Sequence, residues 1–578
     1  MTESKHSNLE LEKVRHSAAH LMAAAVQKLY PEVKFGVGPV TEDGFYYDLD
    51  LPFSLTPESL DKIEKTMQSL QKEDLDFIRT EVPVEQAAKN AESLGQPYKA
   101  ELIRDLASEG EKKVSFYKTG EFIDLCAGPH VAKTSEVGPY KLLSVSTAYW
   151  KGDQAKPQLQ RIYGTAWETK PELEDYLKRV EEAKLRDHKK LGLALDLFHF
   201  EEYSPSSAYW HPKGMIIYRE LEKYAREIEG SDYQEVKAPE LVSADLFKKS
   251  GHIQYYEGDM FKVKDGEKEY YLKPMNCPET LLIFKARKRS YRELPMRLSC
   301  FDNLHRTERS GVFHGLTRVK EFIQDDGHII CTLGQAEEEF AKLLAQTKEV
   351  HNQFGFKSVF KLATRPDAFM GEKSDWDRAE EILKSALAKS KLGYDVKEKD
   401  ATFYGPKIDV YALDALGREW QLTTLQLDLQ QPAGLGARFT DEDGVEKTPI
   451  MIHRAMLGSL ERFIGVILEH YGGNLPTWLS PVQAIVIPIT DAQNSYAKDL
   501  HEKLQQEGIR SEIDLRGEKM GAKIRDAQIQ KIPYMLIIGE REIAAKGVAV
   551  RLRDGTDLKT IPLGDILTRI KEEVARRS

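Results

Sequence analysis

The sequence predicts a multidomain protein that combines α+β and α/β folds. The chain has 578 residues, 41% of them apolar, enough for about three or four packed domains. Residues 34–165 mix short strand-like runs with turns, which is typical of an α+β domain. Residues 479–578 alternate apolar runs with amphipathic helices, which indicates a small α/β domain with a largely parallel sheet.

The chain divides into four predicted regions. Apolar residues recur at helical spacing over residues 11–29, so an amphipathic helix opens the first region. A charged stretch rich in helix formers predicts a solvated linker helix, and a long region of mixed helices and strands follows it. The predicted limits are 1–168 for the first domain, 169–192 for the linker helix, 193–478 for the mixed domain and 479–578 for the α/β domain.

The composition excludes several classes of protein. No apolar run approaches the ~20 residues that a membrane span needs, and the N-terminus lacks an apolar signal core, so we expect a cytoplasmic protein without membrane contact. Four cysteines in a chain of this length do not form a disulfide framework. The formal net charge of −10 argues only weakly against an RNA partner, because an acidic protein can still carry a basic face.

Residues 300–331 carry the most informative group of charges. Arg306 and Glu308 lie two residues apart, which would place both on one face of a strand. Ser310 and Gly311 predict a turn after that strand. An isolated Arg-x-Glu pattern more often belongs to a surface hairpin with ordinary ion pairs.

The same segment returns through Arg318 and Phe322, which we place on a second strand. Such a strand pair would present two guanidinium groups, a carboxylate and an aromatic ring to one ligand. Guanidinium groups bind phosphate oxygens through two parallel hydrogen bonds. The pattern therefore favours a nucleoside triphosphate site.

Residues 300–331 resemble motif 2 of the class II aminoacyl-tRNA synthetases, and the run RVKEFIQDDGHIIC resembles the threonyl-specific version. Residues 214–239 resemble motif 1, which forms the dimer interface in that family, and residues 451–470 resemble motif 3. From about residue 10 to its end, the chain resembles the bacterial-type threonyl-tRNA synthetases. The resemblance implies a homodimer whose subunits have an editing domain, a catalytic domain with an antiparallel sheet and an anticodon-binding domain.

The resemblance also implies the residues that bind the nucleotide. Arg306 would contact the α-phosphate, Arg462 would reach the γ-phosphate, and Mg²⁺ would accompany ATP. An arginine on an apolar helix, as Arg462 is, needs either an ion-pair partner or a phosphate beside it. The implied ATP and adenylate pocket contains Arg306, Glu308 at the adenine amino group, Arg318, Phe322 on the adenine face, Gln324, Gln426, Gly458, Ser459 and Arg462.

Cys277, His328 and His453 lie far apart in the sequence, and each alone is more often a packing residue than a metal ligand. In the threonyl-tRNA synthetases the matching residues bind one catalytic Zn²⁺ per subunit. Three protein ligands would leave positions for the amino and hydroxyl groups of threonine, which valine cannot fill with its methyl group. The implied amino-acid pocket contains Met275, Gln324, Asp326 and Tyr404.

The implied reaction has two steps. Threonine and ATP form threonyl-adenylate, and the threonyl group then passes to the terminal adenosine of threonine tRNA. We expect positioning and charge stabilisation to supply most of the catalysis, with Arg306, Arg462 and Lys407 as the main groups. His252 matches a residue near the 2′-hydroxyl of that adenosine, so we expect it to accept or relay a proton.

The first domain carries a second candidate site. His16 and His20 lie on one helical face, and Cys126 and His130 follow later at the same spacing of four, which suits either a metal ion or another use. The resemblance is to an editing site that hydrolyses seryl-tRNA with ordered water and no obligatory metal. Serine lacks only one methyl group of threonine, so binding alone discriminates weakly. The implied editing residues are His16, His20, Lys99, Asp124, Cys126 and His130; the alternative for Asp124 is a turn or cap role.

In the C-terminal domain, Glu542 and Arg551 match residues that contact anticodon bases in the family. Three positions depart from the family pattern. Gly517 stands where many relatives have Asn, and Glu279 and Thr280 follow Cys277 where a Gly-His pair is usual. The chain also starts at the editing helix, so we expect it to lack the small N-terminal ubiquitin-like domain that many relatives carry.

Three other functions compete with this hypothesis. An inactive, synthetase-like RNA-binding or regulatory protein is disfavoured by the intact arginines and metal ligands. An enzyme of the same fold that charges proline or serine is disfavoured by the same ligands and by the editing residues. A stand-alone editing hydrolase would not need residues 193–578.

Overall fold

The computed structural model describes residues 2–153, 155–308 and 314–577. The chain forms two compact units, residues 1–181 and residues 182–578. The predicted turn at Ser310 and Gly311 lies outside the described residues. No helix in the described ranges is long and apolar enough to span a lipid bilayer.

The N-terminal unit is an α+β fold, as predicted. Its helices are α1 Thr2–Leu29, α2 Pro57–Lys72, α3 Val84–Ser93, α4 Pro97–Ser108 and α5 Lys170–Leu185, the last of which runs into the second unit. Its strands are β1 Lys34–Phe35, β2 Val40–Thr41, β3 Gly44–Asp50, β4 Ile78–Pro83, β5 Lys113–Thr119, β6 Phe122–Leu125, β7 Tyr140–Tyr149 and β8 Gln158–Ala166. Helix α1 packs its apolar stripe, with Ala18, Leu21 and Met22 fully buried, against the sheet β1-β3-β8-β7.

The predicted linker helix is in fact two helices. α5 ends at Leu185, and α6 His188–Ala194 begins after Asp187. The Asp187 side chain accepts hydrogen bonds from the backbone N–H groups of Lys189 and Lys190, and this N-cap fixes the start of a new helix. The prediction of a wholly solvated linker is also wrong at His188, which is completely buried.

The described residues of the second unit form thirteen α-helices and twenty-one strands. The helices are α6, α7 Pro212–Glu229, α8 Ala244–Lys249, α9 His252–Tyr256, α10 Cys277–Lys285, α11 Ala336–Gln353, α12 Lys373–Ser390, α13 Gln431–Gly434, α14 Leu460–Tyr471, α15 Asn494–Gln506, α16 Met520–Ile529, α17 Glu540–Ala544 and α18 Leu563–Arg576. The strands up to the main sheet's end are β9 Phe198–Phe200, β10 Ala208–Trp210, β11 Tyr233–Glu235, β12 Leu241–Ser243, β13 Lys262–Asp265, β14 Lys268–Leu272, β15 Met296–Cys300, β16 Asn303–His305, β17 Glu321–Cys331, β18 Lys357–Ala363, β19 Tyr394–Lys397, β20 Lys407–Leu413, β21 Glu419–Asp428, β22 Phe439–Thr440, β23 Glu446–Lys447 and β24 Ile450–Ser459. The last five are β25 Ala484–Pro488, β26 Ser511–Ile513, β27 Tyr534–Ile538, β28 Gly547–Leu552 and β29 Asp557–Pro562.

The main sheet has the strand order β11-β15-β17-β24-β21-β20-β18-β19, and β16 pairs with β17. Its central pairs are antiparallel, as predicted, and only the two outermost pairs are parallel. On one face, Ile329, Ile408, Leu425 and Ile452 are buried in an apolar cluster with residues of α11 and α12. Because strand side chains alternate between faces, the neighbouring positions on the same strands point to the opposite side.

The placement of Arg306 and Glu308 on a strand is wrong. β16 ends at His305, so both residues follow it, and Glu308 has a positive φ of 51° that a strand does not accommodate. Arg318 likewise lies before β17, after a short 3₁₀ turn, whereas Phe322 is on the strand as predicted. The arginines reach one site from loops at the strand ends.

The C-terminal sheet is mixed instead of largely parallel. Its order is β26-β25-β27-β28-β29, with β25 parallel to β26 and β27. β28 pairs antiparallel with β27, because only residues 539–546 separate the two strands and a parallel crossover needs about a dozen or more, and β29 in turn pairs antiparallel with β28. The α/β class of this domain is as predicted.

One buried carboxyl group joins three elements of the second unit. Glu461 on α14 accepts a hydrogen bond from the Tyr218 hydroxyl of α7 at 2.7 Å and another from the Ile323 backbone N–H of β17 at 3.2 Å. Burial raises the pKa of Glu461 to about 7, and these hydrogen bonds only partly oppose the effect.

Replacing this carboxyl group should change the pH dependence of stability. The folded chain holds the Glu461 proton up to about pH 7, whereas the unfolded chain releases it near its ordinary pKa of 4.5. The contribution of the protonated Glu461 carboxyl group to the free energy of unfolding is therefore full below pH 4.5 and is lost as pH rises through 7. We expect the melting temperature of Glu461→Gln, relative to the unaltered chain, to rise as the pH rises between these two values. A difference that stays constant with pH would contradict the assignment.

Candidate active site

The register of β17 and β24 brings together polar residues that are far apart in the sequence. Gln324, Asp326 and His328 alternate along β17 and therefore share one face. On β24, His453 stands directly opposite His328, and Ser459 stands opposite Gln324. The two histidine rings have centroids 5.0 Å apart. The strand pair alone thus aligns one wall of a site.

Two further strands extend this face. Gln426 of β21 pairs with His453, and Lys407 at the start of β20 pairs with Gln426. The turn before β20 requires a glycine, because a Cβ on Gly405 would overlap the Leu427 carbonyl oxygen. This close approach positions Tyr404, whose hydroxyl donates to Gln426 Oε1.

A cavity of about 440 Å³ lies over this face. It is within the size range of small-molecule sites. The residues predicted from the sequence that line it are Met275, Cys277, Arg306, Glu308, Arg318, Phe322, Gln324, Asp326, His328, Tyr404, Lys407, Gln426, His453, Gly458, Ser459 and Arg462. Lining residues that sequence reasoning missed include Tyr256, Thr317, Thr402, Gln421 and Thr424.

One end of the cavity is rich in guanidinium groups. Arg306 donates to the Pro274 carbonyl oxygen at 3.3 Å and lies over the Phe322 ring, 5.0 Å from its centroid. Arg318 pairs with Glu308 at 2.6 Å. Arg462 donates to the Thr317 carbonyl oxygen at 3.2 Å.

Neither Arg306 nor Arg462 forms an ion pair with a carboxylate of the described residues, and Arg462 is the more deeply buried case. Its Nε is buried and has no hydrogen-bond partner among the described residues. Burial and the neighbouring Arg318 lower the pKa of its guanidinium. An anion in the cavity would satisfy both the unpaired N–H and the uncompensated charge.

The other end of the cavity holds a set of potential metal ligands. Donor atoms of Cys277, His328 and His453 lie within 4.8 Å of one another, and all three residues are buried. Burial lowers the pKa of His328 to about 4, so its ring is neutral, the form that binds metals. Its Nδ1 is buried without a hydrogen-bond partner in the described part of the chain. His453 Nε2 lies 3.0 Å from Asp428 Oδ2, a carboxylate contact of the kind that orients metal-ligating histidines.

A second set shares one of these ligands. Donor atoms of Cys300, Asp326 and His328 also lie within 4.8 Å of one another. Asp326, however, accepts a hydrogen bond from the Asn276 side chain at 2.9 Å. Burial holds the pKa of both thiols, Cys277 and Cys300, well above the usual range, so each needs a cation beside it to become a thiolate.

Two of the three residues that depart from the family pattern, Glu279 and Thr280, lie just beyond Cys277. Glu279 is buried in the first turn of α10, and neither carboxyl oxygen has a hydrogen-bond partner among the described residues. Burial raises its pKa to about 7. The Thr280 hydroxyl donates to the Asn276 carbonyl oxygen at 2.9 Å. The sequence change therefore places a buried carboxyl group with a raised pKa two residues beyond Cys277.

His252 does not line the cavity. It is completely buried at the start of α9, with Nδ1 2.9 Å from Ser250 Oγ and Nε2 4.0 Å from Cys277 Sγ. Burial lowers its pKa to about 3, so the ring is neutral. The structure thus puts His252 behind the candidate metal ligands instead of at the open surface.

In the N-terminal unit, the predicted editing residues form one cluster. Cys126 Sγ lies 3.1 Å from His16 Nε2 and 3.1 Å from His130 Nε2. His130 stacks on Phe77, and His20 makes an edge contact with His130, with ring centroids 5.1 Å apart in both cases. Helix α1 supplies two of the histidines, and the loop after β6 supplies the other two residues.

These groups are all neutral near pH 7. Burial raises the pKa of Cys126 to about 11 and lowers the pKa of His20 to about 3. The pKa of His130 is lowered to about 2, mainly by burial and then by its histidine neighbours. His16, Cys126 and His130 also have the separation of a possible three-ligand metal site, so geometry leaves that alternative open.

The remaining editing residues form a buried ion pair beside the cluster. Lys99 Nζ lies 2.7 Å from Asp124 Oδ1, and both side chains are almost fully buried. The Tyr47 hydroxyl, which the sequence did not single out, donates to Asp124 and accepts from Lys99. Asp124 lies on β6, where it pairs with Tyr117 of β5, so the alternative of a turn cap is wrong.

Asp325 is a further residue that sequence reasoning missed. It points away from the cavity and accepts hydrogen bonds from the backbone N–H groups of Met456, Leu457 and Gly458, at 2.9 to 3.1 Å. It thereby holds the end of β24, where Gly458 has a φ of 77°. In the sequence, the only feature that could have drawn attention to Asp325 is its position next to Asp326.

The two predicted anticodon residues lie in the C-terminal domain. Glu542 on α17 accepts from the Gly539 backbone N–H at 3.1 Å and from the Thr560 hydroxyl at 3.2 Å. Arg551 lies on β28, and its Nε is buried with no hydrogen-bond partner in the described ranges. Gly517 has open space around its Cα.

Separate parts of the chain match three known domain families. Residues 261–471 match the tRNA synthetase class II core domain (G, H, P, S and T), and residues 483–573 match the anticodon binding domain. Residues 114–163 match the threonyl and alanyl tRNA synthetase second additional domain. The first match contains the cavity's strands, and the third contains Cys126 and His130.

Similar proteins span nearly the whole chain. The threonine–tRNA ligase of Legionella pneumophila (strain Corby) is 46% identical over 100% of this chain and 90% of its own length. The threonine–tRNA ligase of Clostridium tetani (strain Massachusetts / E88) is 46% identical over 98% of this chain and 88% of its own length.

Solved structures agree with this similarity. The RNA binding domain of threonyl-tRNA synthetase from Cryptosporidium parvum Iowa II has a TM-score of 0.65 and 41% identity, over 67% of this chain and 98% of that chain. Prolyl-tRNA synthetase from Cryptosporidium parvum has a TM-score of 0.53 at 18% identity, over 67% of this chain and 75% of its own, which is a likeness of fold alone. Because high identity extends over the whole chain and all three domain families are present, the chain belongs to the threonine–tRNA ligase family of class II aminoacyl-tRNA synthetases.

Proposed function

We propose that the chain joins L-threonine to threonine tRNA in the cavity over β17, β24, β21 and β20. Threonine and ATP first give threonyl-adenylate and pyrophosphate, and the threonyl group then passes to the terminal adenosine of the tRNA. The observation that carries this proposal is one cavity with three guanidinium groups at one end and a buried Cys/His/His set at the other; the buried Nε of Arg462 has no hydrogen-bond partner among the described residues. The first end suits phosphates, and the second suits a small polar amino acid.

At the nucleotide end, Arg306 and Arg462 would stabilise charge on the phosphates together with the Mg²⁺ that accompanies ATP. Glu308 would accept a hydrogen bond from the adenine amino group, and Phe322 would stack on the ring. Arg318 already binds Glu308, so it would hold this carboxylate in place. Lys407, paired with Asp409 at 2.7 Å, would contribute a fixed positive charge to the same cavity.

At the amino-acid end, Cys277, His328 and His453 would hold one zinc ion. Their sulfur and nitrogen donors fit zinc, and the Nδ1 of His328, buried without a partner among the described residues, supports the fit. When bound, the ion would supply Lewis-acid positions for the amino and hydroxyl groups of threonine. Asp326 and Tyr404 would complete a polar pocket that rejects valine by leaving its own groups unpaired.

A second, hydrolytic site would clear seryl-tRNA in the N-terminal unit. His16, His20, Cys126 and His130 are neutral, so they would orient a water molecule through hydrogen bonds. The buried pair of Lys99 and Asp124 would hold polar groups of the substrate.

The broader assignments extend the family resemblance. The segment α7 to β11 would form the interface of a homodimer, and Glu542 and Arg551 would contact the anticodon. We retain the domain limits at residues 168, 192 and 478, and a cytoplasmic location. We also retain His252 as the proton acceptor or relay in transfer, which requires that tRNA binding open a route to it.

The zinc assignment is tested with two cysteine variants. Cys277→Ser removes a proposed ligand, whereas Cys300→Ser removes the thiol of the competing set and serves as the control. We expect purified Cys277→Ser to lose its zinc, measured by atomic absorption, and Cys300→Ser to keep about one ion per subunit. Threonine-dependent ATP–pyrophosphate exchange should follow the zinc content. Loss of zinc from the Cys300 variant alone would refute the ligand set.

The phosphate assignment is tested with a conservative change. Arg462→Lys keeps the charge but loses the planar fork, so exchange should fall by about 10²–10³-fold. Arg438→Lys, outside the cavity, is the matched control and should stay near the unaltered rate. Equal rates for the two variants would contradict the assignment.

The editing assignment predicts a separation of activities. His16→Ala and Cys126→Ala should spare threonylation, because they lie in the N-terminal unit, and should release seryl-tRNA. The measurement is hydrolysis of seryl-tRNA alongside threonine charging. Normal clearance of seryl-tRNA by both variants would remove this proposal.

A further inference from the structure

His188 is a fully buried residue that neither the sequence patterns nor the cavity lining identifies. It is the first residue of α6, in the segment that the sequence predicts to be a solvated linker. It lies beneath the 3₁₀ turn Gly315–Thr317, which leads into the cavity residue Arg318. Its surroundings are all in the second compact unit.

Both ring nitrogens of His188 have defined partners. Nε2 accepts a hydrogen bond from the Leu316 backbone N–H at 2.9 Å, so this nitrogen carries no proton. Nδ1 lies 2.6 Å from Glu469 Oε1 and therefore carries the proton and donates it. The ring is thus neutral, in one tautomer, and links a backbone N–H to a carboxylate.

Glu469 is itself held from two sides. Its Oε1 also accepts the His188 backbone N–H at 3.2 Å, and its Oε2 pairs with Arg418 at 2.7 Å. Arg418 in turn pairs with Asp414. Because each partner is itself fixed, the imidazole has little freedom to turn, and the position of its Nε2 is set by the core of the unit.

The turn Gly315–Thr317 packs closely against the His188 ring. Gly315 has a φ of 54°, and a Cβ there would overlap His188 Nε2. From the other side, a Cβ on Gly465 of α14 would lie 3.2 Å from Leu316 Cβ. Gly315 and Gly465 therefore allow the turn to pack closely between the imidazole ring and α14.

The turn has direct consequences for the nucleotide end of the cavity. The Thr317 carbonyl oxygen accepts a hydrogen bond from Arg462 Nη1 at 3.2 Å, and Thr317 and Arg318 both line the cavity. A shift of Leu316 would move that carbonyl group and the backbone of Arg318 together. Sub-ångström placement of such groups decides how well they meet a developing charge.

We propose that His188 is a positioning residue for ATP, which fixes the turn Gly315–Thr317 through its Nε2 and so orients Arg462 and Arg318. This inference rests on the proposed synthesis of threonyl-adenylate in the cavity. His188 does not touch the substrate in this scheme. Its effect should therefore appear in the binding and use of ATP and not in those of threonine.

Two variants separate the functions of the two nitrogens. In His188→Gln, the side-chain oxygen can replace Nε2 as the acceptor for the Leu316 N–H, while the bond to Glu469 is lost. In His188→Asn, the side-chain amide can replace Nδ1 as the donor to Glu469, while the Leu316 N–H is left buried and unpaired. If His188 had a purely structural role, both variants would be equally defective, or the defect would appear in His188→Gln, which loses the hydrogen bond to Glu469.

The measurement is threonine-dependent ATP–pyrophosphate exchange by the full chain, with KM determined for each substrate. We expect His188→Asn to raise KM for ATP by roughly tenfold, because one buried donor loses its partner, and His188→Gln to stay within about threefold. KM for threonine should stay within about twofold for both. Equal KM for ATP in the two variants, or a matching rise in KM for threonine, would overturn the inference.

A second variant covers the case in which His188→Asn fails to fold. Gly315→Ala keeps His188 but pushes the turn away from it, and we expect the same selective rise in KM for ATP. An unchanged KM for ATP in this variant would also overturn the inference. If the unaltered chain shows no threonine-dependent exchange, the proposed function itself fails, whereas normal exchange with insensitive variants refutes only the role of His188.

Discussion

The antiparallel register of β17, β24, β21 and β20 is the constraint on which the catalytic unit depends. It places His328 opposite His453, His453 opposite Gln426, and Gln426 opposite Lys407. The intervening residues form an apolar face against α11 and α12. A slip of one residue would move the polar row into that core and the apolar row into the cavity. Burial of the apolar face therefore holds the site in register.

The cavity concentrates polar groups whose partners are incomplete. Within the described ranges, one N–H of Arg462 and one nitrogen of His328 have no partner, and burial holds the pKa of the Cys277 thiol well above its usual range. Each is costly in a buried place unless a ligand completes it. Buried hydrogen bonds fix the backbone near them: the Asp325 carboxylate, for example, accepts from three successive N–H groups at the end of β24. The cost of these groups is the physical basis of the proposal that phosphate binds at one end and a metal ion at the other.

Much of the site could be predicted because its residues lie in short, distinctive runs. Arg306, Phe322 and His328 occur in one segment, and the structure brings that segment to the cavity with Cys277 and His453. Two kinds of error remained. Arg306 and Glu308 lie beyond the strand, because local alternation says nothing about where pairing stops. His188 was assigned to solvent, because a charged helix pattern does not reveal which member turns inward.

The sequence by itself determined the family, the α+β and α/β classes of the domains and the chemical types of the ligands. These properties follow from short runs of residue types and from their periodicity, both of which can be read from a single sequence. Only the tertiary structure decided which distant residues meet, how deeply each is buried and which nitrogen of His188 carries the proton. Those properties depend on strand register and packing between segments more than a hundred residues apart, and no local pattern encodes them.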